Sequence, residues 1–178
     1  EQNAEQLAEQ LHGSITLGVG QFCTNPGLVF LPEHKGFTDK LQSLIAETNA
    51  GTMLHPGISK NYHASREKKQ DNSKVEVLAS VEAGGEGCQG GPALYQTTAS
   101  AFLEDASLAE EDFGPSSLLI TAQTREERLQ IARQLEGQLT AAVHGTEEDL
   151  AEHDALVNIL AQKAGRLIFN QFPPGVEV

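Results

Sequence analysis

The run Ser117-Leu118-Leu119-Ile120-Thr121 is a short apolar strand pattern, and from it onward strand and helix patterns alternate regularly. Helical periodicity follows at residues 125–135 and 147–163, and further apolar runs lie at residues 139–143 and 166–169. Strands joined in this way through helices are typical of a parallel sheet with helices on its faces and right-handed crossovers. The sequence therefore predicts a fold of the α/β class.

The first part of the chain contains the same two kinds of element. Apolar residues recur with helical spacing over residues 3–16 and again over residues 37–45, and Gly51 is the predicted cap of the second helix. Between these helices, Leu28-Val29-Phe30-Leu31 is a continuous apolar run of the kind found in buried parallel strands. Further strand patterns lie at residues 75–78 and 93–98.

Two polar segments of the sequence have no evident part in a core. Residues 58–69 are predicted to form a helix whose Arg66-Glu67-Lys68-Lys69 run is a solvated face. Residues 84–91 contain five glycines but lack the Gly-Lys-Ser/Thr ending of a phosphate-binding loop. We interpret that segment as a mobile surface insertion and its Cys88 as incidental.

Length, charge and cysteine content exclude several classes of protein. The 178 residues suffice for one domain with its own core. Twelve Lys and Arg side chains against 25 Asp and Glu give a formal net charge of −13, which repels nucleic acid and anionic membranes. Two cysteines in unlike surroundings do not resemble a disulfide framework or a zinc site, and neither a membrane span nor a signal peptide is recognisable. We therefore expect a soluble, cytoplasmic protein.

Cys23 is the first candidate for chemistry. It lies in the run Gly18-Val19-Gly20-Gln21-Phe22-Cys23-Thr24-Asn25-Pro26-Gly27, between a predicted helix and a predicted strand. Glycines allow tight turns and the close approach of a ligand, and backbone N–H groups near a sulfur favour the thiolate. In the alternative interpretation, Cys23 is a small buried hydrophobe and the glycines only make a turn.

Three segments of the chain resemble the aldehyde dehydrogenase superfamily. Gly20-Gln21-Phe22-Cys23 resembles its catalytic-cysteine segment, and the longer run 18–28 resembles the branch with α-ketoglutaric semialdehyde (2,5-dioxovalerate) dehydrogenases and an NADP-dependent fatty aldehyde dehydrogenase. Glu110-Glu111-Asp112-Phe113-Gly114-Pro115 is similar to the family's Glu-Glu-x-Phe-Gly-Pro motif. Residues 164–170 are similar to its late strand and are followed by the branch-like run 172–178.

The resemblance implies a fold, an activity and a set of site residues. The fold would be a three-layer α/β/α catalytic domain with a mostly parallel sheet. Cys23 would be the nucleophile, in a loop shaped by Gly20 and Gln21, and the Cys23 N–H would meet the oxyanion. Glu111 would hold the nicotinamide ribose hydroxyls of NAD or NADP, and Phe113 would pack near the nicotinamide. An aldehyde or semialdehyde would be oxidised to the carboxylate through a thiohemiacetal and a thioester.

Other parts of such an enzyme lie outside the segment that this chain resembles. The family's general-base glutamate, its oxyanion-hole asparagine and its dinucleotide-binding domain come earlier, and further substrate contacts and oligomerisation strands come later. We therefore expect residues 1–178 to be a single catalytic domain excised from a longer enzyme, without the cofactor-binding domain. The fragment is expected neither to bind NAD(P) nor to turn over, and the full-length enzyme is expected to be a homo-oligomer.

Two functions of other classes stay open at this point. A cysteine hydrolase would need a histidine within hydrogen-bond reach of Cys23, and the six histidines are scattered without metal-ligand spacing. A non-enzymatic α/β interaction domain would leave Cys23 no more reactive than Cys88. The choice of aldehyde, and of NAD or NADP, depends on segments outside this sequence.

Overall fold

A computed structural model describes residues 4–84 and 87–173 of the chain. The helices are α1 (Ala4–Thr16), α2 (Lys35–Glu47), α3 (Pro56–Gln70), α4 (Ala99–Glu104), α5 (Arg125–Gln134), α6 (Glu147–Glu152) and α7 (Asp154–Lys163). The strands are β1 (Leu28–Leu31), β2 (Gly51–Thr52), β3 (Glu76–Ser80), β4 (Gln89–Gly90), β5 (Ala93–Thr98), β6 (Ser116–Thr121), β7 (Gln138–Val143) and β8 (Ala164–Phe169). The branch-like residues 174–178 lie outside the described part.

The central sheet has four strands in the order β1-β6-β5-β3. Strand β6 pairs in parallel with both β1 and β5, and β3 pairs antiparallel with β5. Strands β7 and β8 form a separate parallel pair. The α/β class and the mostly parallel sheet are thus confirmed. The prediction that β6, β7 and β8 share one sheet is wrong: β6 is flanked by β1 and β5, and within the described residues β7 and β8 pair only with each other.

Helices cover both faces of the central sheet, so the protein has the three layers that the resemblance implied. Leu94 and Leu119 pack with α1 and α2, whereas Tyr95, Leu118 and Ile120 pack with α4 and α5. Successive side chains of a strand point to opposite faces, so these continuous apolar runs supply two cores at once. The four-residue strand β1 and the six-residue strands β5 and β6 are short, as their apolar runs predicted.

Helices α1 and α2 form one layer. The apolar positions Ala8, Leu11 and Ile15 of α1 are fully buried, which confirms the helical spacing read from the sequence. The predicted glycine cap of α2 is wrong. The helix ends at Glu47, and Gly51 instead begins β2, where it lies against the side chain of Val19.

Helix α3 departs most from expectation. Its buried positions are Ser59, Tyr62, Arg66 and Lys69, spaced so that they form a single stripe. The prediction of a solvated Arg66–Lys69 face is therefore wrong for Arg66 and Lys69, which are 3% and 8% exposed. Long basic side chains are buried in this way only when partners neutralise them.

Two further predictions need correction. Of the segment 84–91, Gly85 and Glu86 lie outside the described residues, but Gly90 belongs to β4, and Gly90 and Gly91 are buried rather than part of a surface insertion. The single helix predicted over residues 147–163 is divided at His153 (φ −104°, ψ 28°). Within the described residues, no helix is long and apolar enough to cross a membrane.

Candidate active site

A left-handed turn of the backbone leads from α1 into the cysteine loop. Gly18, Val19 and Gly20 have φ angles of 54°, 58° and 64°. Glycine adopts such angles freely, whereas the β-branched Val19 is strained there by roughly 1–2 kcal/mol. Val19 is held in place by close packing against Gly51. A Cβ atom added to Gly51 would lie only 2.6 Å from the Cγ2 atom of Val19. The turn therefore places strain immediately before the candidate nucleophile.

Gln21 stabilises this turn through hydrogen bonds made by both the nitrogen and the oxygen of its side-chain amide. Its Nε2 donates to the carbonyl oxygen of Gly18 at 3.0 Å. Its Oε1 accepts from the backbone N–H of Leu54 at 2.8 Å. The side chain thus joins the cysteine loop to the segment between β2 and α3.

The side chain of Cys23 is exposed to solvent. Two N–H groups are used within the loop: Gln21 N and Asn25 N donate to the carbonyl oxygens of Gly18 and Phe22 at 3.3 and 3.0 Å. The N–H of Cys23, like those of its neighbours Phe22 and Thr24, has no acceptor among the described residues. The interpretation of Cys23 as a buried hydrophobe is therefore wrong. An exposed thiol beside an unused backbone donor is suited to attack on a carbonyl carbon.

Asn25 is a structural residue of the site that the sequence did not single out. Its Nδ2 donates to the carbonyl oxygen of Gly20 at 2.9 Å and to that of Gly114 at 2.8 Å. Two carbonyl acceptors fix the orientation of the amide, because the reversed amide would place oxygen against oxygen. Asn25 thereby joins the cysteine loop to the Glu110–Pro115 segment.

Close packing of the backbone also joins the cysteine loop to the Glu110–Pro115 segment. A Cβ on Gly20 would lie 2.3 Å from the carbonyl carbon of Gly114, and a Cβ on Gly114 would lie 2.3 Å from the ring of Tyr62. Real Cβ atoms do not approach other atoms so closely, so both glycines are required by packing. The cysteine loop, the Gly114 backbone and helix α3 are stacked in that order.

The Glu110–Pro115 segment presents its residues in different directions. Glu111 is exposed and Phe113 is half-buried. The carboxylate of Asp112 is buried and lies 2.8 Å from the Lys69 ammonium, and the Ser116 hydroxyl donates to it at 3.2 Å. Sequence and structure therefore agree that this segment adjoins the cysteine loop, and the structure adds that Asp112 points into the protein.

A buried polar network lies beneath the segment. The carbonyl oxygen of Gly91 accepts from the Tyr62 hydroxyl at 2.8 Å and from Arg66 Nη1 at 3.3 Å, and Arg66 Nη2 donates to Ser80 Oγ at 2.6 Å. Burial raises the pKa of Tyr62 and raises that of Tyr95 to about 12, so both phenols stay neutral at physiological pH. The 3-4-3 spacing of Ser59, Tyr62, Arg66 and Lys69 is the sequence signal that could have identified this stripe.

The histidines are engaged away from the cysteine loop. No described histidine hydrogen-bonds Cys23: His34 and His55 cap α2 and α3, His63 contacts Gln89, His144 packs against Phe172, His12 contacts Thr48, and His153 contacts Asp149. The cysteine hydrolase hypothesis therefore lacks its base here. Across residues 4–84 and 87–173, no group of three His, Cys, Asp or Glu side chains could hold a metal ion.

Comparison with known proteins agrees with the motifs. The model of the aldehyde dehydrogenase family matches residues 1–177. The chain is 40% identical over 177 residues to α-ketoglutaric semialdehyde dehydrogenase 2 of Azospirillum brasilense. It is 35% identical over 178 residues to α-ketoglutaric semialdehyde dehydrogenase of Acinetobacter baylyi. Each alignment covers 98% of this chain but 34% of the relative, so the chain spans about a third of the length of these curated relatives.

Solved structures show the same fold at lower identity. Δ-Pyrroline-5-carboxylate dehydrogenase of Mycobacterium tuberculosis has a TM-score of 0.83 at 18% identity, over 99% of this chain and 34% of its own. A mutant aldehyde dehydrogenase of Bacillus cereus has a TM-score of 0.80 at 19% identity, over 96% of this chain and 36% of its own. The family match over nearly the entire chain confirms the resemblance: the protein belongs to the aldehyde dehydrogenase family.

Proposed function

We propose that this chain supplies the nucleophile and the nicotinamide-contacting residues of an NAD(P)-dependent aldehyde dehydrogenase that oxidises an aldehyde or semialdehyde to the carboxylate. The observation that carries the proposal is the junction between the Cys23 loop and the Glu111–Phe113 segment through Asn25 and Gly114. The names of the curated relatives favour α-ketoglutaric semialdehyde as the substrate. A fatty aldehyde is the alternative, because the cysteine loop resembles that branch as well.

Cys23 acts first in this proposal. Its sulfur attacks the aldehyde carbon and forms a thiohemiacetal, while its backbone N–H, unused among the described residues, donates to the developing oxyanion. The oxidised substrate is then held as a thioester on the same sulfur. Water hydrolyses the thioester, which releases the carboxylate and returns the thiol.

The residues near Cys23 fit the nicotinamide end of NAD or NADP. The exposed Glu111 carboxylate can accept hydrogen bonds from two ribose hydroxyls, and the half-buried ring of Phe113 offers an apolar surface. Asn25 fixes the distance of both residues from Cys23 by tying Gly114 to Gly20. The chemistry that NAD(P) supplies when bound is acceptance of a hydride from the substrate carbon.

We further propose that residues 1–178 are the cysteine-bearing catalytic domain and that the cofactor-binding domain and general base belong to other segments of the full-length enzyme. The length of the relatives, of which this chain covers about a third, supports this division. The 178-residue chain alone should produce no steady NAD(P)H from an aldehyde. Sustained production by the isolated chain would contradict the division.

Activity of the full-length protein tests the proposal. We expect α-ketoglutaric semialdehyde to give NADH or NADPH, measured at the reduced-nicotinamide absorbance, and we expect Cys23→Ser to abolish it. Cys88→Ser is the matched control and should retain activity, because Cys88 lies in a different loop and is partly buried. Full activity of Cys23→Ser would refute the assignment of the nucleophile.

A further inference from the structure

We propose that the buried ion pair between Lys69 and Asp112 positions Glu111 and Phe113 for the nicotinamide end of NAD(P), which makes Lys69 a positioning residue. The inference rests on the proposed function. It concerns a helix that the family motifs quoted above do not include, and it assigns a role to Asp112, which occupies the variable position of the Glu-Glu-x-Phe-Gly-Pro motif.

The geometry of the pair is that of a fixed anchor. Lys69 Nζ lies 2.8 Å from each carboxylate oxygen of Asp112, and the Ser116 hydroxyl donates to Oδ2 at 3.2 Å. The two side chains are only 10% and 8% exposed. Charge-assisted hydrogen bonds of this length, shielded from water, hold a carboxylate more firmly than surface contacts do.

Burial of two charges is a poor way to gain stability. The desolvation of a lysine and an aspartate offsets most of their attraction, and well-packed apolar side chains serve equally well or better. The best-supported reason to keep such a pair is that it selects one arrangement of the chain. Here the arrangement selected is that of the backbone on both sides of Asp112.

The neighbours of Asp112 are the residues that need positioning. Glu111 and Phe113 are bonded directly to it, and Glu111 is exposed, without an anchor of its own. The carbonyl of Gly114 is held by Asn25 from the cysteine loop, so the segment is fixed at Asp112 from α3 and at Gly114 from the loop. Two fixed points on one short segment determine where Glu111 and Phe113 lie relative to Cys23.

The adjacent residue Lys68 provides a matched control. It pairs with Glu110 at 3.7 Å, but these side chains are 75% and 63% exposed. Such surface pairs contribute little. Lys68→Met therefore removes the same charge from the same helix without disturbing the anchor.

The experiment compares Lys69→Met, Asp112→Leu, their double variant and Lys68→Met in the full-length enzyme. We expect Lys69→Met to raise the KM for NAD(P) roughly tenfold, which is a typical effect of breaking an interaction between two coupled residues. The kcat, expressed per reactive Cys23, should change less than about threefold. The double variant leaves no uncompensated charge and should recover stability, but its KM for NAD(P) should stay raised because the anchor is still missing. Lys68→Met should match the wild type.

A second readout does not need the cofactor. Amide hydrogen exchange over residues 108–118 of the full-length protein should be faster than in the wild type both in Lys69→Met and in the double variant, because the anchor is absent from each. If Lys69→Met does not fold, the isosteric Asp112→Asn variant replaces it in both measurements. Equal KM and exchange in the Lys69 and Lys68 variants, or wild-type KM and exchange in the double variant, would overturn the inference. Failure of the wild type to oxidise any aldehyde would refute the proposed function instead, and exchange would still report on the anchor.

Discussion

The side-chain amide of Asn25 donates to the carbonyl oxygen of Gly114 at 2.8 Å, across 89 positions of sequence. The same amide nitrogen donates to Gly20 at 2.9 Å. One side chain thus holds together the loop that carries the candidate nucleophile and the segment that carries the candidate cofactor contacts. Both acceptors are backbone groups, so the contact depends on residue 25 and on the local fold.

Replacement of Asn25 tests this junction. Asn25→Ala leaves the carbonyl oxygen of Gly20 without a donor among the described residues, whereas that of Gly114 keeps the Ser116 N–H at 2.8 Å. We expect the variant to lower the free energy of unfolding by about 1–3 kcal/mol. Asn25→Asp should be worse at neutral pH, because a carboxylate would face the carbonyl oxygens of Gly20 and Gly114. Asn158→Ala, at an exposed position of α7, is the control and should fall within about 0.5 kcal/mol of the wild type. Urea unfolding of the three variants distinguishes these outcomes.

The two cysteines allow an internal comparison of thiol reactivity. Cys23 is exposed on a glycine-rich loop and Cys88 is partly buried, so we expect iodoacetamide to label Cys23 roughly tenfold faster near neutral pH. Mass spectrometry of the digested protein gives both rates from one sample. Equal rates would favour the interaction-domain hypothesis over the enzyme.

Glycine-to-alanine substitutions should change stability in opposite directions at two positions. On Gly114, a new Cβ would lie 2.3 Å from the Tyr62 ring, and we expect a loss of about 1–3 kcal/mol or more. On Gly13, within α1, a Cβ meets nothing within 4 Å, and the higher helix propensity of alanine should stabilise the protein by about 0.5–1 kcal/mol. Thermal unfolding measures both effects. A destabilised Gly13→Ala together with a neutral Gly114→Ala would contradict the packing described above.

Stability should fall in mildly acidic solution because of two histidines. Burial lowers the pKa of His12 and of His144 below the ordinary value of 6.5. The unfolded chain therefore takes up protons before the folded chain does, so stability is complete above about pH 6.5 and decreases as the pH falls through that value. The double variant His12→Gln/His144→Phe should show a smaller decrease in melting temperature from pH 7.5 to pH 5.5. Asn158→Ala, which removes no titratable group from an exposed position of α7, is the control and should keep the wild-type slope.

A second loss of stability is expected at lower pH. Hydrogen bonds from the backbone of Thr124 and Thr146 lower the pKa of Glu127 and of Asp149 below their ordinary values of 4.5 and 3.8. The stability that these capping carboxylates contribute is present above those ordinary values and is lost as the pH falls through the lowered ones. Glu127→Gln should reduce this acid-induced loss, as followed by helical circular dichroism between pH 5 and pH 2.5.

The elements of the fold were predictable because their signals are local. The apolar runs at residues 28–31 and 93–98 and the spacing of Leu11 and Ile15 depend on a few neighbouring residues, and each became the expected strand or helix. The partners of the strands were not predictable in the same way. Strand β6 pairs with β1 and β5 rather than with β7, and pairing of this kind depends on contacts far apart in sequence.

The candidate site was predictable as far as its motifs extend. The Cys23 loop and the Glu110–Pro115 segment are adjacent, as the resemblance implied. The buried basic stripe of α3 was missed, because lysine and arginine are almost always exposed and only the 3-4-3 spacing of its positions indicated a buried face. Lys69 is buried only because Asp112, 43 positions later, meets it, and nothing near Lys69 in the sequence reports that partner.

The separation in sequence between β1 and its partner strand β6 also affects the order in which the protein can fold during synthesis. Pro26, at the end of the cysteine loop, accepts a hydrogen bond from Ser117, 91 positions later. A ribosome that adds about 5–20 residues per second needs roughly 5–20 s to make that interval. Throughout this time the apolar run Leu28–Leu31 has no partner strand, because β1 pairs with β6. The nascent chain is therefore most vulnerable to aggregation before β6 emerges, and a pause in translation before Ser117 would prolong that exposure.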